Sequence, residues 1–429
     1  MSKQRILKSK KTYKNKQDMK MKKIAMLAAF AAVTLGLNAQ SLNVESAVQD
    51  LRKGSLKKAK AEIDAAAMHE KTKDDAKTWY YRALIYAEIG RDASQAKPKY
   101  KGLAPDWADK AYESALECKR LDTKNDGEYN KGLVSVFSTV GFDFYNRSRA
   151  LFNEKRYDEA MQVAARAAEM YNNGGESDNA SESMFVAGLS AVANHDTANI
   201  KKFFNNLMRK RTDKEQVYTY LFNVYKAEGN VDQAMKVASN YQKNSKNNYK
   251  SYLLMAEGYL MNQNVEKGKE VINQALELTR DSADIYPVLL NQAGALLELT
   301  NDIEGAQAKY QESLTLKPVQ FEGNFNMGKM YYNRAVDKLQ SAPEPDPFNE
   351  ETIALADKLE QEAKALFGQA IVYLEKSVNF IDNMPEQDRA MQRPNLAQAL
   401  QALSTAYARV ERYDDSKAAH ERYEALLNQ

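Results

Sequence analysis

From residue 40 onward, apolar side chains return every three or four positions with hardly a break, and no stretch alternates with a period of two. Recurrence at three and four is the stripe that one face of an α-helix presents, whereas a half-buried strand needs strict alternation. The chain is therefore expected to be all-α. The prolines fall where helices should begin or end. Pro98 and Pro105 lie in one turn-rich stretch, Pro343, Pro345 and Pro347 in another, and Pro287, Pro318, Pro385 and Pro394 between periodic segments. Proline lacks an amide hydrogen and its ring clashes with the preceding turn, so helix interiors exclude it.

A second, longer period overlies the first. Tyr218 and Tyr252 are 34 residues apart, as are Tyr225 and Tyr259. Gly188, Phe222 and Ala256 repeat at the same interval, and so do Ile200, Ala234 and Gly268, and Gly294 and Gly328. At this point the chain resembles the tetratricopeptide repeat family, whose unit is a 34-residue helix–turn–helix. Trp79-Tyr80-Tyr81-Arg82-Ala83-Leu84-Ile85-Tyr86 fits the family's W-x2-L-G-x2-Y opening except at Arg82. Second-helix matches are Ala108-x3-Tyr112-x2-Ala115, Tyr157-x2-Ala160-x3-Ala164-x2-Ala167 and Ala306-x3-Tyr310-x2-Ser313, the last closed by Pro318.

The resemblance implies an α-solenoid, a tetratricopeptide-repeat superhelix of about nine helix–turn–helix units with insertions. Phasing starts the units near Gln40, Ala76, Gly141, Ser181, Glu215, Tyr249, Pro287, Phe321 and Ala397. It divides the chain into a leader (1–39), N-terminal units with an insertion (40–140), a central array (141–334), a proline-containing insertion with an extra helix (335–364) and C-terminal units (365–429). An extended helical stretch over 128–140 is expected ahead of the third unit.

Composition changes this picture in two places. The single cysteine, Cys118, excludes a disulfide scaffold, and His69, His195 and His420 share no ligand spacing, so no metal site and no cofactor is expected. Ten of the 61 basic residues and one of the 58 acidic ones lie before residue 40, which leaves the remainder six charges negative and argues against a nucleic-acid partner. The leader itself is informative. Met21-Lys22-Lys23 precedes an apolar run from Ile24 to Leu37 that ends at Ala39, the form of a secretory signal peptide. Fourteen residues rise about 21 Å as helix, short of a hydrocarbon core of about 30 Å. Export to the periplasm or cell envelope is expected, with no stable membrane span after cleavage. An inner-membrane anchor through an uncleaved 24–37 segment is the alternative.

The chain carries no phosphate-binding glycine loop, H-E-x-x-H or G-x-S-x-G, and no catalytic residue is assigned. His195-Asp196 reads as a solvated turn, Cys118 as a small buried apolar residue, and His420 as a packing or capping residue. Function is then expected from a surface. In the family, first helices line a concave groove that receives peptides, and the resemblance implies a protein or peptide partner here. Phasing places Phe142, Tyr145, Arg149 and Phe152 on that face, followed by Phe185 and Leu189, then Asn223, Lys226 and Glu257. The alternative for Phe142, Phe152 and Phe185 is packing against the 128–140 helix. Leu254 stands where a second asparagine would be needed to grip a partner's C-terminal carboxylate, so that mode is not expected. A glycan- or nutrient-binding envelope protein is the other functional reading, with Trp79 and Trp107 as sugar platforms.

Overall fold

The computed structural model describes residues 41–123, 127–245, 247–344 and 349–428. Among them the chain forms 20 α-helices and no strand. They fall in two compact units, one ending at Lys210 and the other beginning at Arg211.

The first unit holds α1 (Ser41–Arg52), α2 (Leu56–Met68), α3 (Ala76–Ala93), α4 (Trp107–Leu121), α5 (Glu128–Gly132), α6 (Val134–Asn153), α7 (Tyr157–Asn173), α8 (Ser177–Ala193) and α9 (Thr197–Arg209). Except for the short α5, these are antiparallel pairs: α1 with α2, α3 with α4, α6 with α7 and α8 with α9. First helices also touch first helices, α1 on α3, α3 on α6 and α6 on α8, so they share one side of the unit. The core runs through Ile63, Ile85, Phe137 and Phe144, all essentially without exposure.

The second unit holds α10 (Glu215–Ala227), α11 (Val231–Asn244), α12 (Tyr249–Met261), α13 (Val265–Thr279), α14 (Tyr286–Leu299), α15 (Ile303–Leu316), α16 (Phe321–Gln340), α17 (Glu350–Asp382), α18 (Glu386–Met391), α19 (Arg393–Arg409) and α20 (Tyr413–Leu427). Among the described residues the architecture is thus all-α, with four helix pairs in the first unit and five in the second, of the tetratricopeptide type. Starts at Ala76, Glu215, Tyr249 and Phe321 coincide with the phased ones.

Two expectations need correction. Residues 128–140 do not form one inserted helix: α5 ends at Gly132, and from Val134 the chain is already the first helix of the third pair. No separate helix fills 335–364 either; α16 runs on to Gln340, and α17 is a single helix of 33 residues. Residues 134–140 and 350–364 are instead extra turns of a pair's own helices, because lengthening an existing pair extends its packing without a new nucleus.

One turn closes almost every pair. Gly54, Lys155, His195, Gly229, Gln263, Asn301 and Glu411 all have φ between 55° and 68°, and each lies two residues before the first residue of the second helix. At Lys155 its amide donates to the Phe152 carbonyl at 3.0 Å and the Arg156 amide to the Leu151 carbonyl at 2.9 Å, the paired bonds of a Schellman ending. The next residue often caps the following helix: Asp196 accepts from the Asn199 amide at 3.0 Å, and Asp302 from the Gly305 amide at 3.0 Å. His195 is an exposed turn residue, as expected of a solvated turn, and Asp196 beside it caps α9. Lys155 and Glu411 bear the left-handed conformation without glycine's freedom. Lys155→Gly should therefore raise stability by about 0.5–1 kcal/mol, read from the urea midpoint, with a gain confined to substitutions by glycine or asparagine.

Within pairs, size is traded between positions 16 residues apart. Gly188 faces Phe204, and Gly294 faces Tyr310; a Cβ on either glycine would lie 2.0 Å and 2.5 Å from the ring. At the same phases Phe222 goes with Ala238 and Ala256 with Ile272, all buried. A large side chain on one helix answers a small one on the other, which keeps the core at close-packed density.

Candidate interaction surfaces

The shared side formed by α3, α6 and α8 carries the aromatic residues named from the sequence. Phe142 is 63% exposed on α6. Tyr145, one turn on, is partly buried against the core, with the Arg149 guanidinium 5.7 Å from its ring centre. Phe185 and Leu189 on α8 are partly buried, and the Phe185 ring lies 6.2 Å from Phe204. Phe152 is different: it meets Tyr157 edge-on at 5.3 Å and packs the turn into α7. The short α5 packs on α3, where Tyr129 lies 5.3 Å from Tyr80 and the Tyr80 ring covers Gly132. The segment is thus seated on α3, and Phe142 remains open to solvent.

The remaining three residues belong to the second unit. Asn223 is exposed on α10. Lys226 and Glu257 form an ion pair with each other, joining α10 to α12. The same device recurs between first helices in Glu215–Lys250 at 2.6 Å and Glu298–Lys329 at 3.4 Å, and in the first unit as Glu45–Lys77. Charges spaced 31–35 residues apart thus staple successive repeats, so Lys226 and Glu257 are committed to each other. Apart from the largely buried Glu298, these side chains are about a third or more exposed, and each pair contributes only about 0–1 kcal/mol.

Sequence reasoning missed a polar knot around Arg82. Arg82, the departure from the repeat motif, donates to Asp64 at 2.9 Å on α2 and to Ser114 at 2.7 Å on α4. Its guanidinium lies 4.9 Å from the Tyr86 ring centre, and Tyr86 donates its hydroxyl to Asp64 at 2.9 Å. The Arg82 side chain is only 11% exposed. The signal was present as a cation in a leucine slot with an aspartate 18 residues earlier.

Cys118 is fully buried on α4, and burial pushes its thiol up to about 12. The native state thus favours the protonated thiol, while the unfolded thiol ionises near 9. This contribution to stability is fully present below about pH 9 and is lost as the pH rises toward about 12. Urea midpoints over that range should fall more steeply for the native chain than for Cys118→Ala, and native Cys118 should resist a thiol reagent at pH 8. His420, expected as a packing or capping residue, is exposed on α20, after which no further helix follows among the described residues. Trp79 donates its indole N–H to the Lys73 carbonyl at 2.6 Å, and Trp107 packs onto Gly90, so both tryptophans are engaged in the fold. Among the described residues, no cluster of His, Cys, Asp or Glu could hold a metal ion, and no helix is long and apolar enough to cross a membrane. The 24–37 segment lies outside the described residues.

No family model and no curated protein matches the chain. Among solved structures, it is similar to MamA at 14% identity, covering 45% of this chain and 96% of that one, with a TM-score of 0.31. A TPR repeats protein from Bacteroides fragilis is 17% identical over 62% of this chain and 98% of its own, at a TM-score of 0.23. The P58(IPK) TPR domain is 14% identical over 91% and 98%, also at 0.23. The architecture accordingly stands on the chain's own helix pairs.

Proposed function

We propose that the chain is a non-catalytic scaffold that binds a protein or peptide partner on the first-helix side of its N-terminal unit. The observation that carries this reading is the exposed Phe142 ring, 63% open, one turn before a partly exposed Tyr145 whose ring the exposed Arg149 guanidinium approaches at 5.7 Å. A large aromatic held on a rigid helix, with an arginine next to it, is the composition of a binding hot spot. Phe185 and Leu189 on the adjoining α8 extend the apolar surface. The partner is an amphipathic segment whose apolar edge meets these side chains.

The signal-like leader supports export, so the partner is sought in the periplasm or cell envelope. N-terminal sequencing of the chain expressed in a bacterium should find Gln40 or a neighbour first; recovery of the intact apolar run in membranes would favour the anchor instead. For the surface, Phe142→Ala should weaken capture of an envelope partner by about 2 kcal/mol while leaving the melting temperature within a degree or two. Unchanged capture would remove Phe142 from the binding surface. Phe152→Ala serves as the contrast: its ring packs a turn, so it should lower stability and leave the surface intact.

A further inference from the structure

A second surface lies on the first unit, away from any residue assigned above. The insertion between α3 and α4 folds back onto the α1–α2 turn and is held there at three points. Asp92, buried at the end of α3, accepts from the backbone amides of Lys99 at 3.1 Å and Tyr100 at 2.7 Å. The Tyr100 hydroxyl then donates to the Gly54 carbonyl at 2.6 Å. This brings together two basic runs 46 residues apart: Lys53, Lys57 and Lys58 around the turn, and Lys97, Lys99 and Lys101 on the insertion. All six are exposed, and among the described residues none of them forms an ion pair. The acidic groups nearby are largely committed: Asp92 to the two amides, and Glu88 to Arg91. Asp50, partly exposed, and Asp106, exposed at the far end of the insertion, have no salt bridge among the described residues.

Between the two runs opens a pocket of about 480 Å³, lined by Leu51, Leu56, Leu84 and Tyr100, by Lys99 and Arg91, and by the two engaged carboxylates, Glu88 and Asp92. From this we infer that this corner binds an acidic peptide segment, one apolar side chain entering the pocket while carboxylates on either side meet the lysines. Three features favour a peptide. Unpaired cations clustered on one edge attract a polyanion and concentrate it there. A recessed apolar floor asks for a side chain that protrudes from the ligand. No large apolar residue stands exposed at this corner, so nothing here would enter a bilayer, as an interfacial membrane site requires. The Tyr100 ring is covered by the Lys99 ammonium 5.0 Å from its centre, which removes it as a stacking platform for bases.

The test uses the full chain and a fluorescein-labelled peptide with one leucine between two pairs of glutamates. Anisotropy should show saturable binding whose logarithmic dissociation constant rises with the logarithm of salt concentration. Lys53→Gln with Lys99→Gln and Lys101→Gln should weaken it roughly ten-fold and flatten that salt dependence, with an unchanged circular dichroism spectrum. Leucine→serine in the peptide should cost a further several-fold. The proposal is overturned if the triple variant binds equally well, or if a peptide with glutamines for glutamates does. It is overturned also if phosphatidylglycerol vesicles or a 20-nucleotide RNA bind more tightly than the peptide and lose that binding in the triple variant. Phe142→Ala should leave the acidic peptide's affinity unchanged, which separates this surface from the first.

Discussion

Gly188→Leu is expected to lower the unfolding free energy by about 3 kcal/mol, among the largest effects of any single substitution in the N-terminal unit. Even a single added carbon at Gly188 would lie 2.0 Å from Cε1 of Phe204. Phe204 has no exposure, so its ring has nowhere to go, and α8 must part from α9. Gly188→Ala should cost less, because it adds one carbon against the same ring where leucine adds four, while both gain helix propensity over glycine. Urea denaturation followed by circular dichroism gives both values. The double variant Gly188→Leu with Phe204→Ala should be more stable than the sum of the two singles by at least about 1 kcal/mol, since each change vacates or fills the space of the other. Additive losses would mean that Gly188 and Phe204 do not share that space.

The second large effect belongs to Arg82. Arg82→Ala should destabilise by about 2–3 kcal/mol, toward the low end for a broken buried pair because Asp64 keeps 30% exposure. Asp64 would retain Lys60 at 3.0 Å and the Tyr86 hydroxyl, and the Ser114 hydroxyl would keep its bond to the Lys110 carbonyl. Arg82→Leu installs the residue that the repeat motif uses at this position. It should cost less than alanine by about 1 kcal/mol or more, because the apolar chain refills the gap between Trp79 and Tyr86. Equal losses for alanine and leucine would show that charge, not volume, holds Arg82 in place.

The sequence exposed the helix pairs and concealed how they end. The stripe of apolar residues and the 34-residue return located starts such as Ala76 and Glu215, since a buried face must repeat with the helix it belongs to. They could not locate the start of α6, seven residues before Gly141, because extra turns extend the stripe without changing its phase. The pair-closing turns were equally silent. Gly54, Gly229 and Asn301 advertise a positive φ, while Lys155, Gln263 and Glu411 adopt it through hydrogen bonding that no residue type signals. The surface was legible one residue at a time. Phe142 stands exposed where phasing put it, yet Phe152, four residues short of the α7 cap Arg156, packs the turn instead. Lys226 and Glu257 looked free because their pairing spans two helices and 31 residues, which a linear reading cannot join.

The exchange of size across each pair decides what this chain can inherit from itself. Gly188 with Phe204, Phe222 with Ala238, Ala256 with Ile272 and Gly294 with Tyr310 conserve volume as couples, while the first-helix column taken alone ranges from glycine to phenylalanine and the second-helix column from alanine to tyrosine. A consensus drawn column by column would therefore average away the match that every couple keeps. Crossovers obey the same logic. A duplication or graft cut at Gly229, inside a pair, parts Phe222 from Ala238 and delivers two large residues or two small ones to one gap. A cut just before Tyr249, between pairs, moves each couple whole. The heritable module of this chain is the helix pair, and its seams are the turns that join one pair to the next.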